Sequence, residues 1–220
     1  MSNTTFDINA FIKESKDVLT NPKAYFSSMK TTGGIAEPLI KAVIYGVIAG
    51  IIALLWSIFK IGGVTGGLFG GAAGIMMFVW YIIAAIIGLF IGAVILLVIS
   101  AITKGNTDFE ACARVTAAVM VIMPISALLG FISGLNLTAG SIVGLAVNLY
   151  ALYLLYHGLI EALKAKPDTT RILIFVLGAL LVLFFIIGLG AKKKATQFMN
   201  EFNSDDFQEM FENVRDENLE

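Results

Sequence analysis

Val115–Ser133, VTAAVMVIMPISALLGFIS, and Ile142–Leu163, IVGLAVNLYALYLLYHGLIEAL, decide how this chain is read. Each runs for about 20 residues with almost no charge, enough to cross a hydrocarbon core of about 30 Å at about 1.5 Å of rise per residue. A segment in lipid must satisfy its own backbone polar groups, so both are expected to be membrane-spanning helices. Pro124 lies mid-way along the first. It has no N–H to give the carbonyl one turn back, so a kink is expected there. Ser126, Gly130, Ser133 and Gly134 leave one side of that helix small.

In the second stretch Tyr150, Tyr153, His157 and Glu161 recur at spacings of three, four and four, which puts them on one helical face. Two readings stay open. In the first, Tyr156, His157 and Glu161 lie in the headgroup belt, where polar-tipped side chains collect. In the second, the stripe turns toward the Ser126–Gly130 side of the preceding helix. It then forms a polar groove with Ser126 and Asn148, in which His157 and Glu161 support each other.

Composition agrees with a membrane protein. The 220 residues are 58% hydrophobic and 14% charged, with a mean hydropathy of +0.87, where a soluble domain carries about 25% charge. The fold class expected is all-α, a polytopic membrane helix bundle of five spans with amphipathic N-terminal and C-terminal helices. The spans fall at about 39–59, 81–103, 115–133, 142–163 and 172–189, within a membrane domain of 38–191. Residues 1–37 form an amphipathic segment, and 192–220 an acidic tail holding eight of the sixteen Asp and Glu residues. The N-terminus is polar, and its first long apolar run starts near Leu39, so no signal peptide is expected.

Before the first span, Ile8, Phe11, Ile12, Ser15 and Leu19 share a helical face opposite Lys13, Glu14, Lys16 and Asp17. Asn21 caps a second helix opened by Pro22. Both helices suit either the membrane interface or the protein's own loops. Gly46 and Gly50 in the first span, and Gly88 and Gly92 in the second, are small-xxx-small pairs that let helices approach closely. Between those spans Gly62, Gly66, Gly70 and Gly74 recur every four residues, as in a tightly packed or re-entrant helix; a flexible loop is the alternative. No Gly-Lys-Ser/Thr follows, so this is no phosphate loop. The apolar run from Ile61 to Thr103 has room for two spans, which would make six in all. After the fifth span come Lys192–Lys194 and an acidic-faced helix with Phe207, Met210, Phe211 and Val214 on its apolar side, fit to dock on a partner or on the protein's own polar surface; a frayed acidic tail is the alternative.

The chain resembles the Yip family of polytopic membrane proteins. The residues that carry the resemblance are Asp108-Phe109, Arg114-Val115 and Pro124, then Tyr150-Ala-Leu-Tyr-Leu-Leu-Tyr-His-Gly-Leu159 and Thr169-Thr170-Arg171. Upstream, Asn21-Pro22 and Tyr25-Phe26 resemble that family's proline-then-aromatic entry. The similarity covers about residues 20 to 190. It implies five spans, a cytosolic N-terminus and a role in membrane traffic or membrane shape rather than catalysis. Eukaryotic relatives carry a longer cytosolic N-terminal region, which argues against Rab-type GTPase binding.

Charge gives the same orientation. With five spans and the N-terminus inside, ten of the fifteen Lys and Arg residues face the cytosol, and Lys60, Lys192, Lys193, Lys194 and Arg215 do not. Six spans give nine and six.

Little in the sequence suggests chemistry. One histidine excludes a multi-histidine metal site, one cysteine (Cys112) excludes an intramolecular disulfide, and no basic excess suggests nucleic acid. No catalytic, cofactor-binding or metal residue is assigned. Asp108, Glu110 and Arg114 form a charged cluster at the cytosolic face, read as a loop brace or helix cap. The expected partners are the lipid bilayer and a protein partner or second copy. Two function classes follow: a non-enzymatic scaffold or adaptor, or a small transporter, channel or lipid-moving protein using the groove between the third and fourth spans.

Overall fold

The computed structural model describes the backbone of residues 7–59 and 70–204, and the side chains of 7–59 and 75–188. It begins with a short helix, α1 (Ile8–Thr20), capped by the Asp7 carboxylate, which accepts from the Asn9 and Ala10 amides at 2.8 and 3.2 Å. Asn21 closes α1 by donating its amide to the Asp17 carbonyl at 2.8 Å, and its side chain opens α2 (Pro22–Ser28). Pro22 takes the first position of α2, where a missing N–H costs nothing. The chain then turns through Gly33 and Gly34, at φ 132° and 95°, values that side chains rarely allow.

The remaining helices are α3 (Ala36–Ile58), α4 (Gly70–Ile102), α5 (Phe109–Val119), α6 (Ile122–Leu129), α7 (Phe131–Leu135), α8 (Leu137–His157) and α9 (Pro167–Ser204). A π-helical turn, Gly158–Ala162, extends α8. Among the described residues, five stretches are long and apolar enough to cross a membrane: Ala36–Ile58, Ile75–Ile102, Phe109–Leu135, Leu137–Ala162 and Pro167–Gly188. The protein is an all-α, multi-pass integral membrane protein. The described part of the glycine-rich region, from Gly70, is continuous with α4 as a single 33-residue helix. Gly62 and Gly66 lie outside the described residues, as does the apolar face from Phe207 onward.

The third span is interrupted where its sequence requires. Pro124 cannot bond the Met120 carbonyl. The helix leaves α geometry at Met120–Val121, and the Met123 amide takes that carbonyl at 2.9 Å in a tighter turn. At the second break, Gly130, the Trp56 indole N–H reaches across from α3 to the Ala127 carbonyl at 3.0 Å. Its ring lies 5.4 Å from that of Phe131. A neighbouring helix thus meets the hydrogen-bonding need that an irregular turn creates in lipid.

By contacts the chain divides into two compact units, Met1–Ala179 and Leu180–Glu220. Within the first, α3 lies hard against α4. A Cβ on Gly46 would stand 2.7 Å from that of Ala85, and one on Gly50 would stand 3.1 Å from the Phe78 carbonyl oxygen. Gly92 approaches Thr116 of α5 in the same way, at 2.7 Å, whereas Gly88 has nothing within 4 Å. The second close-approach pair therefore acts through one member. The most enclosed helix is α5, where Ala111 through Val115, Ala117 and Ala118 are all buried. A helix buried on every side is surrounded by protein, not lipid. In the second unit, the rest of α9 continues as one helix to Ser204.

Candidate functional site

The ionisable residues at the starts of the first and third spans meet in one network. Glu37 is in the first turn of α3, where an acidic group complements the helix N-terminus. One turn on, Lys41 pairs with Glu37 at 2.8 Å and with Glu14 of α1 at 2.6 Å. Across the bundle, Arg114 of α5 pairs with Glu37 at 2.7 Å and with Glu110, one turn back, at 3.0 Å. The side chains of Arg114 and Lys41 are only 6% and 13% exposed, so each needs its two carboxylates to offset lost hydration.

This network also fixes the glycine turn before α3. The Gly34 amide donates to Glu110 at 2.6 Å, and the Arg114 guanidinium donates to the Gly34 carbonyl at 3.0 Å. A side chain at Gly33 would meet Arg114 Nη2 at 2.8 Å. Asp108 stands apart and caps α5, accepting from the Ala111 amide at 2.9 Å. The cluster anticipated from Asp108, Glu110 and Arg114 is thus a cap beside a brace, and the brace recruits Glu14, Glu37 and Lys41. Those three were missed in the sequence. The available signal was that Glu37, Lys41 and Arg114 each sit within the first two turns of an apolar helix, where a charge needs a partner.

Through this network α1 and α2 are seated on the bundle. Phe11 packs on Tyr45 with ring centroids 5.0 Å apart, and Ser15 shares a hydrogen bond with the Tyr45 hydroxyl at 2.8 Å. Phe26 is fully buried beside Gly158, where a Cβ would come within 3.6 Å of its ring and 2.5 Å of Val115. Where α1 and α2 meet α3 and α5, a cavity of about 510 Å³ remains, lined by Glu14, Asp17, Tyr25, Lys30, Lys41 and Arg114 among others. Burial, and then the carboxylates of Glu14 and Glu37, push the Tyr25 phenol well above its ordinary range, so it stays protonated and neutral.

The aromatic stripe of α8 is continuous but does not enclose a groove with the third span. Centroid distances run 5.8 Å from Tyr150 to Tyr153, 4.7 Å to His157 and 5.3 Å on to Tyr156. Tyr150 donates its hydroxyl to the Leu19 carbonyl at the end of α1. Tyr153 is 47% exposed, and Ser126 and Asn148 are exposed as well, Asn148 bonding back to the Gly144 carbonyl at 2.8 Å. Among the described residues no hydrogen bond or ion pair joins His157 to Glu161, which lies in the π turn where the α register is lost. The expected contact with the Ser126–Gly130 side gives way to α1, whose Leu19 carbonyl lies in the last turn, beyond the helix's own amides, and draws the phenol.

No curated protein and no solved structure matches the chain. The Yip1 domain matches residues 16–190, a range that takes in part of α1, all of α2 and the whole of the five candidate spans. With helices of that number around a proline-broken third span, the chain belongs to the Yip1-domain family of integral membrane proteins.

Proposed function

We propose that this protein is a non-enzymatic scaffold or adaptor of the Yip type, acting in membrane organisation or traffic through a cytosolic face built from α1 and α2. One observation supports this above others: the polar groups of the spans are used to seat those two helices. Lys41 holds Glu14, Tyr45 holds Ser15 and Tyr150 holds Leu19, so a rigid polar surface is presented beside the bundle. A transport path would instead gather Ser126, Asn148 and Tyr153, which are exposed on the outside of their helices. On this reading residues 1–37 are the working surface, and the partner is another protein or a second copy of this chain.

The test is affinity purification from the native membrane, comparing wild type with Asn9→Arg/Lys16→Glu on the exposed side of α1. A scaffold loses specific co-purifying proteins while its melting in detergent is unchanged. Identical co-purifying sets, together with solute uptake by proteoliposomes carrying the wild type, would overturn the proposal.

A further inference from the structure

The cavity between α1, α2 and the starts of α3 and α5 has unused polar groups. Its ion pairs engage both oxygens of Glu37, Oε2 of Glu14, and the cationic groups of Lys41 and Arg114. Among the described residues, no hydrogen bond involves Glu14 Oε1, the Asp17 carboxylate, the Tyr25 hydroxyl or the ammonium groups of Lys13 and Lys30, all of which belong to lining residues. Two unpaired lysines, the unpaired Asp17 carboxylate and the second oxygen of the Lys41-bound Glu14 thus border one space. A purely anionic ligand would meet two carboxylates there, and a purely cationic one two lysines. A ligand bearing both charges a few ångströms apart satisfies both pairs.

The depth of the cavity points to the ligand's source. At 23 residues, α3 is about 34 Å long, so its ends project a few ångströms beyond a hydrocarbon core of about 30 Å. Glu37, in its first turn, therefore lies at the headgroup boundary, with Lys41 one turn below it and α1 and α2 beyond it. Beside the cavity, α1 turns Ile8 and Ile12 outward, 65% and 59% exposed, while Phe11 and Val18 face the protein. That apolar flank suits acyl chains next to a headgroup held at Lys13 and Asp17.

The chemistry narrows the cationic end. Carboxylates and a neutral phenol accept N–H bonds, which a primary ammonium offers in three directions and a quaternary one does not offer at all. A quaternary ammonium is instead held by several aromatic faces, and Tyr25 is the single aromatic residue in the lining. We infer that this cavity binds a phosphoethanolamine group carried by a lipid of the adjacent leaflet. Lys13 and Lys30 meet the phosphate, and Asp17, Glu14 and Tyr25 meet the ammonium.

The test uses the full chain purified in detergent, with native mass spectrometry of bound dioleoyl-phosphatidylethanolamine, -phosphatidylcholine and -phosphatidylglycerol at equal concentrations. Retention of the ethanolamine lipid is expected to exceed that of the choline lipid about tenfold, the scale of one charge-assisted hydrogen bond. Asp17→Asn should reduce that ratio toward one, and Lys30→Gln should weaken retention of both lipids. Neither residue is in the Arg114–Glu37–Lys41–Glu14 network, and unchanged melting confirms folding. Equal retention of the two lipids by wild type, or an ethanolamine preference that survives both substitutions, would overturn the inference. Displacement by soluble glycerophosphoethanolamine at the same concentration as the lipid would overturn the lipid source.

Discussion

The Arg114 guanidinium stands 2.7 Å from the Glu37 carboxylate, 77 residues earlier in the chain, and so ties the start of the first span to that of the third. The same guanidinium holds Glu110 and the Gly34 carbonyl, three contacts that its planar fork makes at once. Arg114→Met should leave Glu37 with Lys41 alone, Glu110 with only the Gly34 amide, and the Gly34 carbonyl without its guanidinium donor. Because Glu37 is half-exposed, the expected loss is about 2–3 kcal/mol, below that of a fully buried pair. Arg114→Lys keeps the charge but not the fork, and should recover less than half of the loss. Thermal or denaturant unfolding in detergent checks both, and a wild-type transition for Arg114→Met would mean the brace carries no stability.

Glycines in this chain differ by what faces them. At Gly50 an added Cβ meets the backbone of Phe78, which can yield only if the two helices move apart. Gly50→Ala should therefore cost about 1–3 kcal/mol, as overpacking does. Gly88 faces open space, and Gly88→Ala should be neutral or stabilising by up to about 1 kcal/mol, the helix propensity difference. Melting the two variants side by side tests the opposite signs.

Tyr150 joins the middle of α8 to the end of α1 across 131 residues. Removing the hydroxyl in Tyr150→Phe should cost about 1 kcal/mol. Its effect should be local: faster amide exchange over Ile8–Thr20 with little change in α3 and α4. Uniformly faster exchange would show instead that α1 cannot detach without the bundle.

Much of this architecture is legible in the sequence because it depends on local rules. Apolar length marks the spans, Pro124 marks the break at Met120–Val121, and Asn21-Pro22 marks the junction of α1 and α2. What the sequence concealed depends on pairing over distance. Phe11 and Ile12 look alike on a helical wheel, yet one is buried against Tyr45 and the other exposed, because the face of α1 is divided between protein and surroundings. Likewise Tyr150 matches the spacing of its stripe, but its partner is a backbone carbonyl that no periodicity reveals. The brace was half legible: Glu110 and Arg114 are one turn apart, whereas Glu14, Glu37 and Lys41 join them only through the fold.

Membrane orientation follows from the span number and the lysine bias. Asn9, Thr107 and Thr138 are exposed, and none makes a side-chain contact in the network. Two candidate spans separate Asn9 from Thr107, and a third separates Thr107 from Thr138. In a Cys112→Ser background, single cysteines at Asn9 and Thr107 should label from the same side and that at Thr138 from the other. The positive-inside bias predicts cytosolic labelling of the first two. Cys112 itself is fully buried in α5 and should resist the same reagent until the protein unfolds, so the background substitution removes no labelling site from the native state. Labelling of the Asn9 and Thr107 positions from opposite sides would contradict the path of α3 and α4. Labelling of all three as expected, but with Thr138 cytosolic, would keep the fold and reverse the protein in its membrane. The surface formed by α1 and α2 would then face away from the cytosol, and any partner would have to be sought there.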